Sequence, residues 1–466
     1  MSRASGAGVA IDAAGTQGGS CVTGNRLSFL TMISICIGLV IVQGSMVSAT
    51  QGIGLGGSGF IAAMLCAFVL AIFNAMTFAE LSLMYPQSGG SLATYTQKAM
   101  GHFPAIVAVF AGYVVVAMFS IPVEMLLVNS IVNELLPGMF PDMLIPTLIL
   151  VLLAITNILG TDVFARIQNL LAFVLILCLV VVGLVASTSE APVLAEGSAV
   201  NWSLGPVMDG SFVGLISLAM WMMVGVEFIC PLIADVNEPR RTIPRAMMLS
   251  LVLMLAIYLP FVFGASRFMS VESLTTSAIP YLDYVHAVFG KAGLVVATVM
   301  GIAATCSTVN TVLASVPRML QGMADNRQAF PQMGIVSQRF GTPWVAIMFM
   351  VIIIAIPMYL MGIDSLITLV IAASTSWLLA YIIAHINVLV LRRRQPELAR
   401  PYKTPFYPLP QLLGIVGMVY VALHNSPSPE MTEQVYTMAG GVLLLVCVIG
   451  AVWVKGFMKK GLFTPE

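Results

Sequence analysis

The chain has 466 residues, 59% hydrophobic and 9% charged, with 20 basic and 20 acidic side chains and a formal net charge of zero. A soluble protein carries roughly 45–50% apolar and about 25% charged residues, so water is not the main solvent of this one. The balanced charge leaves no basic footprint for nucleic acid.

Residues 1–26 are rich in Gly, Ala, Ser and Thr with no compact apolar stretch, which predicts a disordered cytoplasmic tail and not a cleaved signal peptide. A spanning helix needs about 20 apolar residues. Twelve such segments follow, at 27–50, 59–84, 104–135, 143–160, 164–187, 211–235, 246–267, 292–320, 342–361, 365–391, 407–424 and 436–456. They predict an all-α, multi-pass membrane protein with twelve transmembrane helices. Segments 3, 8 and 10 exceed the hydrocarbon thickness, which implies tilt or extension beyond it. Lys and Arg collect on the cytoplasmic side of membrane proteins. With both termini inside, all of the 20 basic residues except Arg267 and Lys291 fall on that side, and one helix more or fewer scatters them.

Two segments are interrupted by polar or glycine residues. Segment 1 places Gln43, Gly44 and Ser45 at mid-depth, and segment 6 places Gly225 and Glu227 at comparable depth. Segments 1–5 and 6–10 are successive blocks of five, and a matched pair of Gly-interrupted segments points to two inverted repeats with a site at their interface. Freed backbone groups are tolerated in a membrane only where they line a cavity. There, a half-helix N-terminus attracts a carboxylate and freed carbonyls attract an ammonium or a cation. The transporter core then covers 27–391, and helices 11–12 with a short cytoplasmic C-terminus cover 392–466. Glycine also serves close helix packing, which is the structural alternative for either break.

Several motifs lie in order along the chain: Glu80-Leu-Ser-Leu-Met-Tyr-Pro-Gln-Ser-Gly-Gly-Ser, Asn157-Ile-Leu-Gly with Arg166-Ile-Gln-Asn, Asn237-Glu-Pro-Arg-Arg-Thr-Ile-Pro-Arg-Ala, and Arg400-Pro-Tyr-Lys-Thr-Pro-Phe-Tyr-Pro. Together they resemble the amino acid, polyamine and organocation transporter superfamily over nearly the whole chain. The resemblance implies the leucine-transporter-like fold and secondary transport by alternating access. It implies that backbone N–H groups of Gln43 and Gly44 hold a substrate carboxylate, while carbonyls of Val40, Trp221 and Val224 hold its ammonium. Trp221 matches an aromatic that closes over the substrate, and Glu227 an acid that gates or protonates the inner path. Many relatives read Gly-Ser-Gly or Gly-Ala-Gly where this chain has Val42-Gln43-Gly44, and some proton-coupled relatives carry a lysine where this chain has Leu175.

Carboxylates at membrane depth are costly and mark functional hypotheses. Glu80, near the inner end of segment 2, reads as a structural cap or a gate partner. Glu124 has no Lys or Arg near it in its own segment, so it binds an amine or another cation, carries a coupling proton, or makes a structural hydrogen bond. The amine reading favours a diamine, an amino alcohol or a cationic amino acid, making the chain a polyamine or amino-alcohol transporter. Ser307 and Thr308 of segment 8 are candidate sodium ligands or, alternatively, helix–helix hydrogen-bonding groups. Tyr113 and Trp377 line the cavity or pack.

The cysteines Cys36, Cys66, Cys178, Cys230, Cys306 and Cys447 lie inside apolar runs without metal-ligand spacing and read as small buried hydrophobes. With no Walker A, HExxH or GxSxG context, neither an enzyme nor an ATP-driven pump is expected, and no cofactor beyond a coupling H+ or Na+. A channel lacks a repeated filter signature here, and a substrate-sensing receptor lacks a signalling domain. The expected protein is a monomer or homodimer permease in a cell membrane, placed by its compact loops in a prokaryotic inner membrane, whose partners are lipid and a small-molecule amino acid or amine.

Overall fold

The apolar segments fold as helices, and among the described residues the only extended pairing is a single bridge between Leu27 and Val236. The computed structural model describes residues 26–426 and 429–466, excepting the side chains of 363–367 and 429–431. The tail expected over 1–26 lies outside the described residues apart from Arg26. A helix suits lipid because it satisfies its backbone polar groups internally.

Among the described residues seven helices are long and apolar enough to cross a membrane: Ser58–Met84, His102–Leu135, Thr161–Thr188, Pro239–Phe268, Lys291–Asp325, Thr368–Arg394 and Thr432–Met458. They fall on segments 2, 3, 5, 7, 8, 10 and 12. Segment 1 is a bent pair, Phe29–Val40 and Gln43–Gly56, with 62° between its halves. Segments 4, 9 and 11 are shorter helices, Leu144–Ile158, Trp344–Leu360 and Leu409–Leu423. Segment 6 departs furthest from a spanning helix. It runs as Ser211–Leu215 and Ile216–Met220, breaks, and resumes as a 3-10 helix at Val226–Asp235. Pro231 removes an N–H from that last stretch, and so long a 3-10 run marks a hinge or strain.

Burial sorts the helices into a centre and a rim. In segment 1, Thr31–Val40 is buried all round, as is Ala303–Pro317 of segment 8. Segment 5 is two-faced: Phe164, Gln168, Leu175, Leu179 and Val182 are buried, whereas Leu170, Phe173, Leu177 and Leu184 are exposed, as a lipid-facing flank requires. Close approach of segments 5 and 7 depends on Gly183, where a Cβ would lie 2.9 Å from the backbone nitrogen of Phe261. Not all cysteines are fully buried: Cys36, Cys230 and Cys306 are, but Cys66, Cys178 and Cys447 are only partly so.

The end of the bundle that collects Arg and Lys is cross-linked by ion pairs and hydrogen bonds. Glu80, fully buried, accepts a bidentate pair of hydrogen bonds from Arg392 at 2.8 and 2.7 Å and another from the Thr404 backbone N–H at 2.8 Å, with Arg400 Nε 3.7 Å away. These contacts join segment 2 to the end of segment 10 and the approach to segment 11. Arg318 of segment 8 pairs with Asp235 at 2.7 Å and donates to Thr161 at 3.0 Å. Leu27 donates its N–H to the Asp235 carbonyl at 2.7 Å, and Asn237 donates to the Leu27 carbonyl at 3.0 Å. The start of segment 1 is thereby fixed to the end of segment 6.

Candidate functional site

The first break falls within three consecutive β-branched residues, Val40-Ile41-Val42: the first half-helix ends at Val40 and the second starts at Gln43. Such a start leaves orphan N–H donors. Ser45 Oγ accepts from the Val42 N–H at 2.9 Å, donates to the Val42 carbonyl at 2.8 Å, and lies 2.7 Å from the Tyr258 hydroxyl. The next two donors find a carboxylate of the chain itself. Gln43 N–H donates to Glu124 Oε2 and Gly44 N–H to Glu124 Oε1, each at 3.0 Å. Thr305 Oγ1 donates to Oε2 at 3.2 Å. The Gln43 side chain completes the clamp, donating to the Glu124 carbonyl at 3.1 Å and to Thr305 at 2.8 Å while accepting from Tyr281 at 2.6 Å. A carboxyl group forked across a helix N-terminus satisfies two of its orphan donors at once.

Space remains beside this cap. Val42 and Gly44 are half-buried in an otherwise buried stretch. A Cβ on Gly44 would meet only Glu124 Oε1 at 3.3 Å and Val42 Cγ2 at 3.8 Å. The Val40 carbonyl accepts from the Val42 N–H at 3.1 Å.

At the second break, Gly225 has φ 122°, a conformation that L side chains rarely adopt, and a Cβ there would press on Leu39 at 3.0 Å and Val40 at 3.2 Å. The two breaks therefore touch at a glycine. The carbonyls of Trp221 and Val224 accept no hydrogen bond from the described residues. Two residues beyond Gly225, the buried Glu227 carboxylate accepts from Tyr381 at 2.8 Å and Tyr113 at 3.5 Å. Aromatic rings crowd around it: Trp377 lies 6.3 Å from Trp221, 6.2 Å from Phe228 and 5.8 Å from Tyr381, and Tyr113 lies 5.2 Å from Phe228, between centroids. A cavity of about 20 Å3 is lined by Trp221, Val224, Trp377 and Tyr381 among others, roomy enough for about one water-sized group.

The hydroxyls of Ser307 and Thr308 both point back at segment 1 and both have partners. Thr308 donates toward the Gly38 and Leu39 carbonyls at 3.1 and 3.3 Å. Ser307 accepts from Gln168 Nε2 at 2.7 Å, and the same amide nitrogen donates to the Ser34 carbonyl at 3.2 Å. The structure thus brings Val40, Gln43, Gly44, Ser45 and Glu124 together at one break, and Trp221, Val224, Gly225, Glu227 and Tyr113 at the other. Glu80 stands apart at the basic end. Sequence reasoning missed Thr305, Tyr258, Tyr281, Tyr381 and Gln168. Mid-segment polarity was a signal for each, but which helix face they occupy is a tertiary fact.

The sequence of residues 27–451 matches the family model described as amino acid permease. Among curated proteins, the serine/threonine exchanger SteT of Bacillus subtilis (strain 168) is 25% identical over 450 residues, covering 93% of this chain and 97% of that protein. The b(0,+)-type amino acid transporter 1 of Homo sapiens is 25% identical over 444 residues, covering 90% and 86%. The human cystine/glutamate transporter is 24% identical over 431 residues, covering 89% and 83%. These relatives are transporters and not enzymes. With its matching motifs, its broken central helices and a family model spanning most of its length, the chain belongs to the amino acid permease family of membrane transporters.

Proposed function

We propose that the protein is a secondary active transporter that carries a small amine across a cytoplasmic membrane by alternating access. The observation that carries this reading is the fork of Glu124 across the N–H groups of Gln43 and Gly44. The resemblance assigns those N–H groups to a substrate carboxylate. Here the chain supplies the carboxylate, so the group missing from the seat is a cation, and an ammonium meets that need. A twelve-helix arrangement with two inverted repeats and both termini cytoplasmic is supported by the distribution of basic residues and by the contact between the two breaks at Gly225. The bacterial relative SteT and the compact loops favour a prokaryotic inner membrane.

A second reading, a zwitterionic amino acid whose carboxylate displaces Glu124, is favoured by the printed names of the relatives. Thermal shifts of the purified protein against amines, amino alcohols and amino acids separate the two. Stabilisation by amines that lack a carboxylate is expected. Stabilisation by zwitterionic amino acids alone would refute the amine reading and return the first break to the substrate carboxylate.

A further inference from the structure

At the basic end of the bundle an open crevice of about 530 Å3 lies between the end of Thr368–Arg394 and the start of Leu409–Leu423, lined by Leu389, Arg392, Arg393, Tyr407, Pro408 and Leu412. That volume is in the range of small-molecule sites, about 300–1,000 Å3. Arg393 is exposed, and it pairs with nothing among the described residues. Arg392 spends Nε and Nη2 on Glu80 and the Thr404 carbonyl, and its guanidinium sits 4.0 Å over the Tyr407 ring. Its Nη1 donates to none of the described residues. Arg400 stands 3.7 Å from Glu80. The connection between the two helices adds Lys403 and Glu397, both exposed and unpaired among the described residues. Basic groups outnumber acids at this corner, and the one buried acid, Glu80, already has its cations.

The other half of the crevice is apolar and continues onto a lipid-facing surface. Leu412 lines it, and Leu409, Leu412, Leu413 and Val416 are exposed on the helix that leads away from it, with Leu412 and Val416 one turn apart on one face. An arginine at a helix end is ordinary in a membrane protein, and so is a lipid-facing leucine. A crevice that joins the two is required by neither. A free anion leaves its apolar half bare, and an apolar chain alone leaves Arg393 unanswered. A phospholipid carries both parts at the right depths, a phosphodiester at the headgroup level and an acyl chain beneath it, and basic pockets between helices at this end of membrane proteins hold anionic headgroups. We propose that the crevice is a site for an anionic phospholipid, with its phosphodiester on Arg393 and on Nη1 of Arg392, its headgroup against Tyr407 and one acyl chain along Leu412 and Val416. The lipid bridges the end of segment 10 and the start of segment 11, beside the Glu80–Arg392 pair. The site lies away from both breaks, so it is independent of the amine reading.

The test is a thermal-shift titration of the purified full-length protein in detergent with dioleoyl phosphatidylglycerol, dioleoyl phosphatidylcholine or glycerol 3-phosphate. Half-maximal stabilisation of the wild type is expected at a concentration of phosphatidylglycerol on the order of tenfold below that of phosphatidylcholine, with no stabilisation by glycerol 3-phosphate. Arg393→Gln, an exposed substitution, is expected to bring phosphatidylglycerol to the level of phosphatidylcholine. Arg240→Gln removes the same charge from another exposed position of the basic end, and is expected to keep the full preference. Equal stabilisation by the two lipids, or an equal loss of preference in both variants, would overturn the site, the latter by showing a diffuse attraction of the whole basic end. Glycerol 3-phosphate acting as strongly as the lipid would overturn the lipid as occupant and leave a site for a free phosphate ester.

Discussion

Replacing Glu124 by glutamine tests the first break with the least change of shape. The carboxylate holds two N–H groups at 3.0 Å and one hydroxyl at 3.2 Å. The amide keeps one acceptor oxygen and turns the other into a donor, so one backbone N–H then faces an N–H. Hydrogen bonds to charged groups contribute roughly 1.5–3 kcal/mol each, and an ammonium beside Glu124 loses a partner of that class. At about 1.4 kcal/mol per tenfold, amine affinity is expected to fall on the order of 10- to 100-fold. The assay is a thermal-shift titration with an amine, repeated as uptake into proteoliposomes. A folded Glu124→Gln protein with undiminished amine affinity would refute the reasoning. The complementary variant, Glu124→Ala, empties the cradle and leaves two N–H groups for an external anion. It is expected to gain affinity for a zwitterionic amino acid while losing it for an amine.

Gly44→Ala puts a methyl group into the first turn of the second half-helix. It should weaken amine binding, because the new Cβ sits 3.3 Å from Glu124 Oε1 in the space beside the cap; equal affinity in both proteins would show that the ligand does not use that space. Uptake is expected to be the same in sodium and in choline media, because Gln168 Nε2 already bridges the Ser34 carbonyl and Ser307 Oγ. Strong stimulation by sodium would show that the amide yields its place to an ion. Glu80→Gln strands the largely buried guanidinium of Arg392, and breaking a buried ion pair costs about 3–5 kcal/mol. A clear drop in melting temperature is expected, and an unchanged one would mean that this pair does not hold the basic end together.

The sequence already located both breaks, because glycine and glutamine inside an apolar run have no use in lipid unless the backbone is interrupted there. Segment 1 breaks between Val40 and Gln43, and segment 6 between Met220 and Val226. Segment 6 was less legible beyond its break: 211–235 is apolar enough to pass for a spanning helix, but hydropathy is blind to the 3-10 winding that begins at Val226. Glu124 was readable as a carboxylate in need of a partner, not as the cap of segment 1. That pairing joins residues 81 and 80 positions apart, and it depends on the rotation of the helix His102–Leu135, which includes a wide π-helical turn at Phe110–Val114 and a proline at 122. The amide of Gln168 was hidden for the same reason: its role exists only where segments 1, 5 and 8 meet.

The self-made cap also bears on what the protein does without a substrate. A helix interrupted in a membrane must satisfy its orphan donors from nearby side chains, water or a ligand. At this break Ser45 and Glu124 satisfy Val42, Gln43 and Gly44 from within the chain. The break consequently needs no bound anion to be stable, and an amine adds an attraction without repairing a defect. A substrate carboxylate would have to dislodge three hydrogen bonds and a residue already locked by the Gln43 clamp. Under the proposed amine reading, that asymmetry puts the choice of substrate in a residue of segment 3 and not in the broken helix itself.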